Sequence, residues 1–223
     1  MFLFITLVIT AYLVRHYIFT ISVLWQSKTN KTSNNRPNEK YEPTVSILIP
    51  THNEAKVIGK LLERMIQLSY SKNKLELIMI DDASSDDTRK IAEEYAKSNK
   101  FIKILHRDCK VGGKGKAAAL NAGLKESKGE IVICFDADYL HCADIVTRLV
   151  EKFIDPKVGA VQGRPVVLNE PQNIVTRLIA LERIGGYRVD QEARNILGLV
   201  PQFGGTYPNW RYLPRTLSSF SFG

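Results

Sequence analysis

Two aspartates separated by one residue, Asp136 and Asp138 in the run Phe135-Asp-Ala-Asp138, follow directly on the apolar segment Glu130–Phe135. Residues two apart at a strand's exit direct their side chains to the same side, so both carboxylates can converge on one divalent cation. Mg²⁺ or Mn²⁺ held by one or two carboxylates and completed by substrate phosphates is the usual arrangement for phosphate chemistry. Taken alone, such a pair also fits a solvated loop. Asp81 and Asp82 close a second apolar run, and two adjacent acids at a strand end suit hydrogen bonding to a base or a ribose. Part of the polar run after them is structural by default, because Asp86 or Asp87 with Thr88 is good N-cap chemistry for the next helix. A third cluster, Gly112-Gly-Lys-Gly-Lys116, opens an Ala- and Leu-rich helix. A P-loop needs a glycine six residues before its lysine and Ser or Thr after it, whereas Lys110 and Ala117 occupy those places. A glycine-rich turn, a helix N-terminus and a lysine remain, and together they can receive a diphosphate.

The elements that must position these groups alternate along the chain. Short β-branched runs at Val45–Ile49, Leu75–Ile80, Ile102–Leu105 and Glu130–Phe135 are separated by helical patterns at Lys56–Leu68, Thr88–Lys97 and Lys116–Glu126. This predicts an α/β fold with a mostly parallel sheet and helices on both faces, whose ligand lies beyond the carboxyl ends of the strands. Three of those ends run into polar residues: Thr51-His52-Asn53-Glu54, Asp81-Asp82, and Asp136 with Asp138.

In order and spacing, VSILIPTHNE, IDDASSDDT, GGKGKAAALNAGL and FDAD resemble the family 2 glycosyltransferases of GT-A fold, over about Thr44 to Thr206. The segments VGAVQGRPVVLN, RLIALERIGGYRVDQEAR and LVPQFGGT look like the acceptor-side region of its membrane-bound, polymerising branch, the group of cellulose and hyaluronan synthases. The resemblance implies that Thr51, Asn53 and Glu54 border the nucleotide, with Asp81 or Asp82 reading the uracil or ribose edge. It places Lys116 near the nucleotide and diphosphate, and Asp136 and Asp138 on the metal that bridges the diphosphate. Gln162 and Gly163 would line the sugar or acceptor side. His52 stands where such enzymes often carry Tyr. The implied reaction is inverting, metal-dependent transfer from a UDP-sugar to a carbohydrate or lipid-linked acceptor, in the synthesis of cell-surface polysaccharide or glycolipid. The general base of the family belongs to a later motif, usually ending in Glu-Asp. After Thr206 the tail YPNWRYLPRTLSSFSFG carries no Asp or Glu and no Gln-x-x-Arg-Trp segment. The expectation is a domain that binds donor without transferring it, with a divergent tail from 207 to 223 produced by a change of reading frame.

Residues 1–25 form an apolar stretch that as a helix is roughly 37 Å long, enough to cross a bilayer, and 1–26 read as a transmembrane helix. Arg15 and His16 fall near its middle, where a charge costs about 2.5–3.5 kcal/mol on insertion scales. Lys28, Lys31, Arg36 and Lys40 follow Trp25, so the positive-inside rule predicts a single-pass protein of the cell membrane with its globular part in the cytoplasm. Residues 27–43, rich in Asn, Ser, Thr, Lys and Pro, read as a linker, and 44–206 as the glycosyltransferase domain. The net charge of +8 is scattered among acids with no basic run interleaved with aromatics, so no nucleic-acid partner is expected; the excess suits an anionic membrane and a diphosphate. The cysteines Cys109, Cys134 and Cys142 lack disulfide or zinc spacing and read as free thiols. Two other functions compete: a non-catalytic nucleotide-sugar-binding protein of the same fold, and a nucleotidyltransferase or other Rossmann-like phosphate enzyme. The apolar N-terminus and the context of the Asp136/Asp138 pair argue against the latter.

Overall fold

The computed structural model describes residues 1–29, 41–108, 112–113, 115–163, 172–199 and 208–211. The expectations for linker residues 30–40, for Cys109 and Lys114, for 164–171 and 200–207 of the acceptor-side segments, and for 212–223 of the tail lie outside them. The chain divides into two compact units, residues 39–163 with 204–223, and residues 1–38 with 164–203.

The first unit is built on a six-stranded sheet. Its strands are β1 (Val45–Thr51), β2 (Leu75–Asp82), β3 (Ile102–Arg107), β4 (Ile131–Cys134), β5 (Ala160–Gln162) and β6 (Pro208–Arg211), in the spatial order β3-β2-β1-β4-β6-β5. The first four are mutually parallel, while β6 runs antiparallel to both β4 and β5. The expected domain ended at Thr206; a strand of the sheet lies beyond that point.

Alternation along the strands divides the core between the two faces. Val45, Ile47 and Ile49 of β1 join Leu77, Met79, Ile131 and Ile133 on one face. There they pack on α2 (Ala55–Ile66) through Ile58, Leu61, Leu62 and Met65, on α3 (Thr88–Ser98) through Ala92, and on α5 (Ile145–Val150) through Val146, Leu149 and Val150. Leu48, Ile78, Ile80, Val132 and Cys134 face the other way, onto Ala119 and Leu120 of α4 (Lys116–Glu126). The approach of α4 is close: a Cβ at Gly123 would stand 2.7 Å from Ile80 Cδ1. Strands buried on both faces explain the near-continuous apolar runs of the sequence. Of the thiols expected to be free, Cys142 is free and exposed, and Cys134 is free and buried, with burial pushing its thiol up to about 12.

Two strands run further than the hydrophobic pattern predicts. β2 continues through Asp81 and Asp82, and β3 through His106 and Arg107, because these polar residues are paired in register: Asp81 opposite His106 and Asp82 opposite Arg107. Each pair is also bonded through its side chains, which compensates polar groups at a depth where apolar residues would otherwise be needed.

The second unit contains α1 (Phe2–Thr29) and a helical run from Ile174 to Ile196. That run comprises α6 (Ile174–Arg183), a π-helical stretch over Ile184–Gln191 that includes Gly185 and Gly186, and α7 (Glu192–Ile196). Asn173 caps α6, its side chain accepting from Thr176 N at 2.9 Å. Residues Phe2–Gln26 of α1 are long and apolar enough to cross a membrane. Along α1, Phe19 is buried and Ser22, Val23 and Gln26 are half-buried at helical spacing.

Candidate active site

Because β1, β2, β3 and β4 are parallel, their carboxyl ends share one edge. The chain steps outward from β1 to β2 to β3 and then returns to the other side of β1 with β4, which makes the β1/β4 boundary a topological switch point. A cavity of about 450 Å³ opens there. Its wall includes Pro50 and Thr51 from the end of β1, His52 and Glu54 from the following loop, and Asp82 from β2. Gly113, Gly115 and Lys116 enter from the glycine-rich turn and the start of α4, and Asp136 and Asp138 from beyond β4.

Of the ten residues the sequence singled out, six stand in this wall: Thr51, Glu54, Asp82, Lys116, Asp136 and Asp138. Asn53, Asp81, Gln162 and Gly163 are outside it. Neighbouring residues of a strand point to opposite faces, which separates Asp82 from Asp81. Asp81 is fully buried and accepts from His106 Nδ1 at 2.8 Å and from Ser84 N at 3.2 Å. Asp82 accepts from Arg107 Nη1 at 2.5 Å; both are nearly buried, so an ion pair anchors this carboxylate at the cavity edge. Asn53 acts on the loops. It adopts a left-handed backbone (φ 56°), its N–H donates to Ser84 Oγ at 3.0 Å, and its Oδ1 accepts from Ser85 N at 2.8 Å. The β1–α2 loop is thereby clipped to the β2–α3 loop. Asp86 strengthens the clip, accepting from Ala55 N at 3.1 Å and from Thr88 N at 3.0 Å; hydrogen bonds, that from the Thr88 hydroxyl foremost, hold its carboxyl below the usual carboxylate range. Gln162 ends β5, and Gly163 follows it, half-buried.

His52 Nδ1 lies 2.8 Å from the Asp82 carbonyl and must donate to it. In the neutral ring Nε2 is then an acceptor, facing Asn53 Nδ2 at 3.2 Å. The ring is therefore held in one orientation in the cavity wall. Gly115 (φ 88°) precedes Lys116, and this left-handed turn delivers Lys116 as the first residue of α4, the end at which the helix dipole attracts anions. Lys116 Nζ donates to Asp136 Oδ1.

Asp138 is exposed at the cavity mouth. The Glu54 carboxyl is raised above its ordinary range, first by burial, then by the negative charges of Asp138 and Asp86, with His52 opposing. An acidic field over open space, next to one lysine, fits a divalent cation and an anionic ligand together. Among the described residues, no group of three or more His, Cys, Asp or Glu side chains can hold a metal alone. Such an ion would draw its remaining oxygens from the ligand, as Mg²⁺ commonly does.

Two residues of the site region were not anticipated. Arg107 lay beyond the predicted end of its strand, and only the register with Asp82 reveals its role. His141, three residues past Asp138, is buried with its ring stacked on Phe135 at 3.9 Å between centroids. Burial lowers the pKa of its imidazole to about 4. The stacked ring supports Phe135, the residue before Asp136, and no spacing in the sequence indicates it.

Known proteins share this arrangement of sequence and fold. Residues 46–217 match the family described as Glycosyl transferase family 2. The chain is 41% identical over 150 residues to the probable glycosyltransferase YdaM of Bacillus subtilis (strain 168), covering 67% of this chain and 36% of that one. It is 41% identical over 135 residues to the beta-monoglucosyldiacylglycerol synthase of Trichormus variabilis, 60% of this chain and 29% of the relative. With the poly-beta-1,6-N-acetyl-D-glucosamine synthase of Staphylococcus aureus (strain COL) the identity is 30% over 164 residues, 73% and 38% of the two chains. The chain thus spans about a third of the length of these relatives. Among solved structures, the mannosyltransferase PcManGT from Pyrobaculum calidifontis, in complex with GDP-Man and Mn²⁺, superposes with a TM-score of 0.66 at 27% identity, over 91% of this chain and 55% of the other.

Proposed function

Given that this chain belongs to glycosyl transferase family 2, we propose that its cavity binds a nucleotide sugar, UDP-linked, together with Mg²⁺ or Mn²⁺. The observation that carries this is the meeting of Asp82, Lys116, Asp136 and Asp138 in one cavity at the switch point of the sheet. Asp82, with one oxygen engaged by Arg107, offers the other to a ribose hydroxyl or the base edge. Thr51 and Glu54 border the nucleotide, and Lys116 meets the diphosphate at the N-terminus of α4. Asp136 and Asp138 hold the cation, which supplies electrostatic stabilisation for the leaving diphosphate. Gln162 and Gly163 belong to the acceptor side. The GDP-Man and Mn²⁺ bound by PcManGT support a nucleotide-sugar and metal reading, and leave the base to experiment.

In the whole protein the reaction is inverting transfer to a carbohydrate or lipid-linked acceptor, for cell-surface polysaccharide or glycolipid. The glycolipid and polysaccharide synthases among its relatives support that class of product. Attachment to the membrane through α1, with the globular unit in the cytoplasm, agrees with the apolar helix and with the lysines and arginine that follow Trp25. Calorimetric titration with UDP and with GDP, each with and without Mn²⁺, tests the donor assignment. Cation-dependent binding of UDP in preference to GDP is expected. Equal, cation-independent binding of both nucleotides would defeat it.

A further inference from the structure

Asp82, the acid of the cavity wall that ends β2, is held by its side chain and by its backbone. Arg107 Nη1 donates to its Oδ1 at 2.5 Å, and His52 Nδ1 donates to its carbonyl oxygen at 2.8 Å. The next residue, Ala83, takes a left-handed backbone (φ 61°), a conformation that persists in a residue with a Cβ only where the surroundings over-determine it. Arg107 itself stands outside the cavity wall. It is 7% exposed and reaches the carboxylate from β3, at the register position opposite Asp82.

A guanidinium carries donors only, so whatever faces Arg107 must be an acceptor. An ionised carboxylate satisfies this with one oxygen and presents a second acceptor with the other. Placed at the edge of a nucleobase, a fixed acceptor takes a hydrogen bond from a ring N–H. Uracil N3 and guanine N1 carry that hydrogen. Cytosine N3 and adenine N1 carry a lone pair instead, which meets the carboxylate as acceptor against acceptor. A site built to bond a substrate N–H rejects the analogue that lacks it, because its own polar group is left unpaired.

We propose that Arg107 is a positioning residue for base recognition. By holding Asp82 through Oδ1 it turns an acceptor toward the base, and so selects uracil and guanine nucleotides against cytosine and adenine nucleotides. The proposal rests on the nucleotide reading of the cavity. It goes beyond that reading by assigning the base edge to Asp82 and the direction of Asp82 to a residue outside the wall. The same chemistry gives Asp82→Asn a signature. With Arg107 present, the amide must turn its oxygen to the guanidinium and its NH₂ to the cavity, a donor that suits cytosine N3 and opposes uracil N3–H. Without Arg107 the amide can present either end.

The test is calorimetric titration of UDP and of CDP, each with Mn²⁺, into the full chain and two variants whose fold is first checked by circular dichroism. What is read is the ratio of the two affinities, which a purely structural role of Arg107 leaves unmoved because it weakens both nucleotides together. The intact chain should favour UDP by about tenfold or more. Asp82→Asn should reverse the preference, favouring CDP by about the same factor. Asp82→Asn combined with Arg107→Leu should bind the two nucleotides within about twofold of each other, since nothing then orients the amide. The double variant holds no lone buried charge, so it decides the matter even where Asp82→Asn alone does not fold. A tenfold preference of either sign in the double variant shows that another group orients the amide, and overturns the proposal. An Asp82→Asn variant that still favours UDP, or an intact chain that binds UDP and CDP alike, overturns it too and leaves the cation-dependent nucleotide reading standing. An intact chain that binds neither nucleotide removes that reading and this proposal together.

Discussion

Lys116 Nζ bonds Asp136 Oδ1, so the first residue of α4 and the first carboxylate beyond β4 share an ion pair in the cavity wall. The lysine stands where a cation bound by Asp136 would compete with it. In the proposed site, Asp136 would hold the cation and Lys116, freed from this pair, would meet the phosphates.

This exchange makes a two-sided prediction for Lys116→Ala. Loss of a charge-assisted hydrogen bond, worth about 1.5–3 kcal/mol, should weaken UDP binding about 10- to 100-fold. Mn²⁺ alone should bind the variant more tightly, since Asp136 no longer has an internal competitor. Titrations of each ligand separately check both, and weaker binding of Mn²⁺ alone would refute the competition.

The Arg107–Asp82 pair is buried at both partners. Removing one member leaves an uncompensated charge, so Arg107→Ala should cost about 3–5 kcal/mol in chemical denaturation. The double variant Arg107→Leu with Asp82→Asn should lose less, because it leaves no lone charge. A single variant as stable as the parent would mean that water reaches the pair and screens it.

His141 sets a pH limit. Its pKa of about 4 lies below the ordinary value of 6.5, so between these values the unfolded chain binds a proton that the folded chain refuses. The stability present above pH 6.5 is therefore lost as pH falls toward 4, with a contribution no steeper than about 1.4 kcal/mol per pH unit. His141→Phe keeps a ring against Phe135 and should flatten the slope in that window. Melting curves across roughly pH 4–7.5 decide it: an unchanged slope in the variant would assign the loss to other groups.

Much of the site could be read directly from residue order, and the reasons are physical. Parallel strands buried on both faces leave long apolar runs whose ends are unmistakable, so the order of residues alone sets Thr51, Asp82 and Asp136 at one edge. What pattern could not supply was which of two adjacent acids faces the cavity, because that depends on strand phase. Asp82 lines the cavity while Asp81 is buried against His106. Nor could it supply partners distant in sequence, such as Arg107 for Asp82 or Asp190 for Arg15, since long-range ion pairs leave no periodicity. The bonds by which Asn53 joins two loops are likewise long-range and leave no periodicity.

The proposed nucleotide-sugar site stands or falls on a cation held by Asp136 and Asp138. Calorimetric titration of UDP into the intact chain and into Asp138→Ala, each with and without Mn²⁺, reads that cation's contribution. Mn²⁺ should strengthen UDP binding to the intact chain and lose most of that effect in the variant, while cation-independent binding persists through Asp82 and Lys116. Undiminished Mn²⁺-assisted binding in Asp138→Ala would show that the two aspartates do not hold the ion.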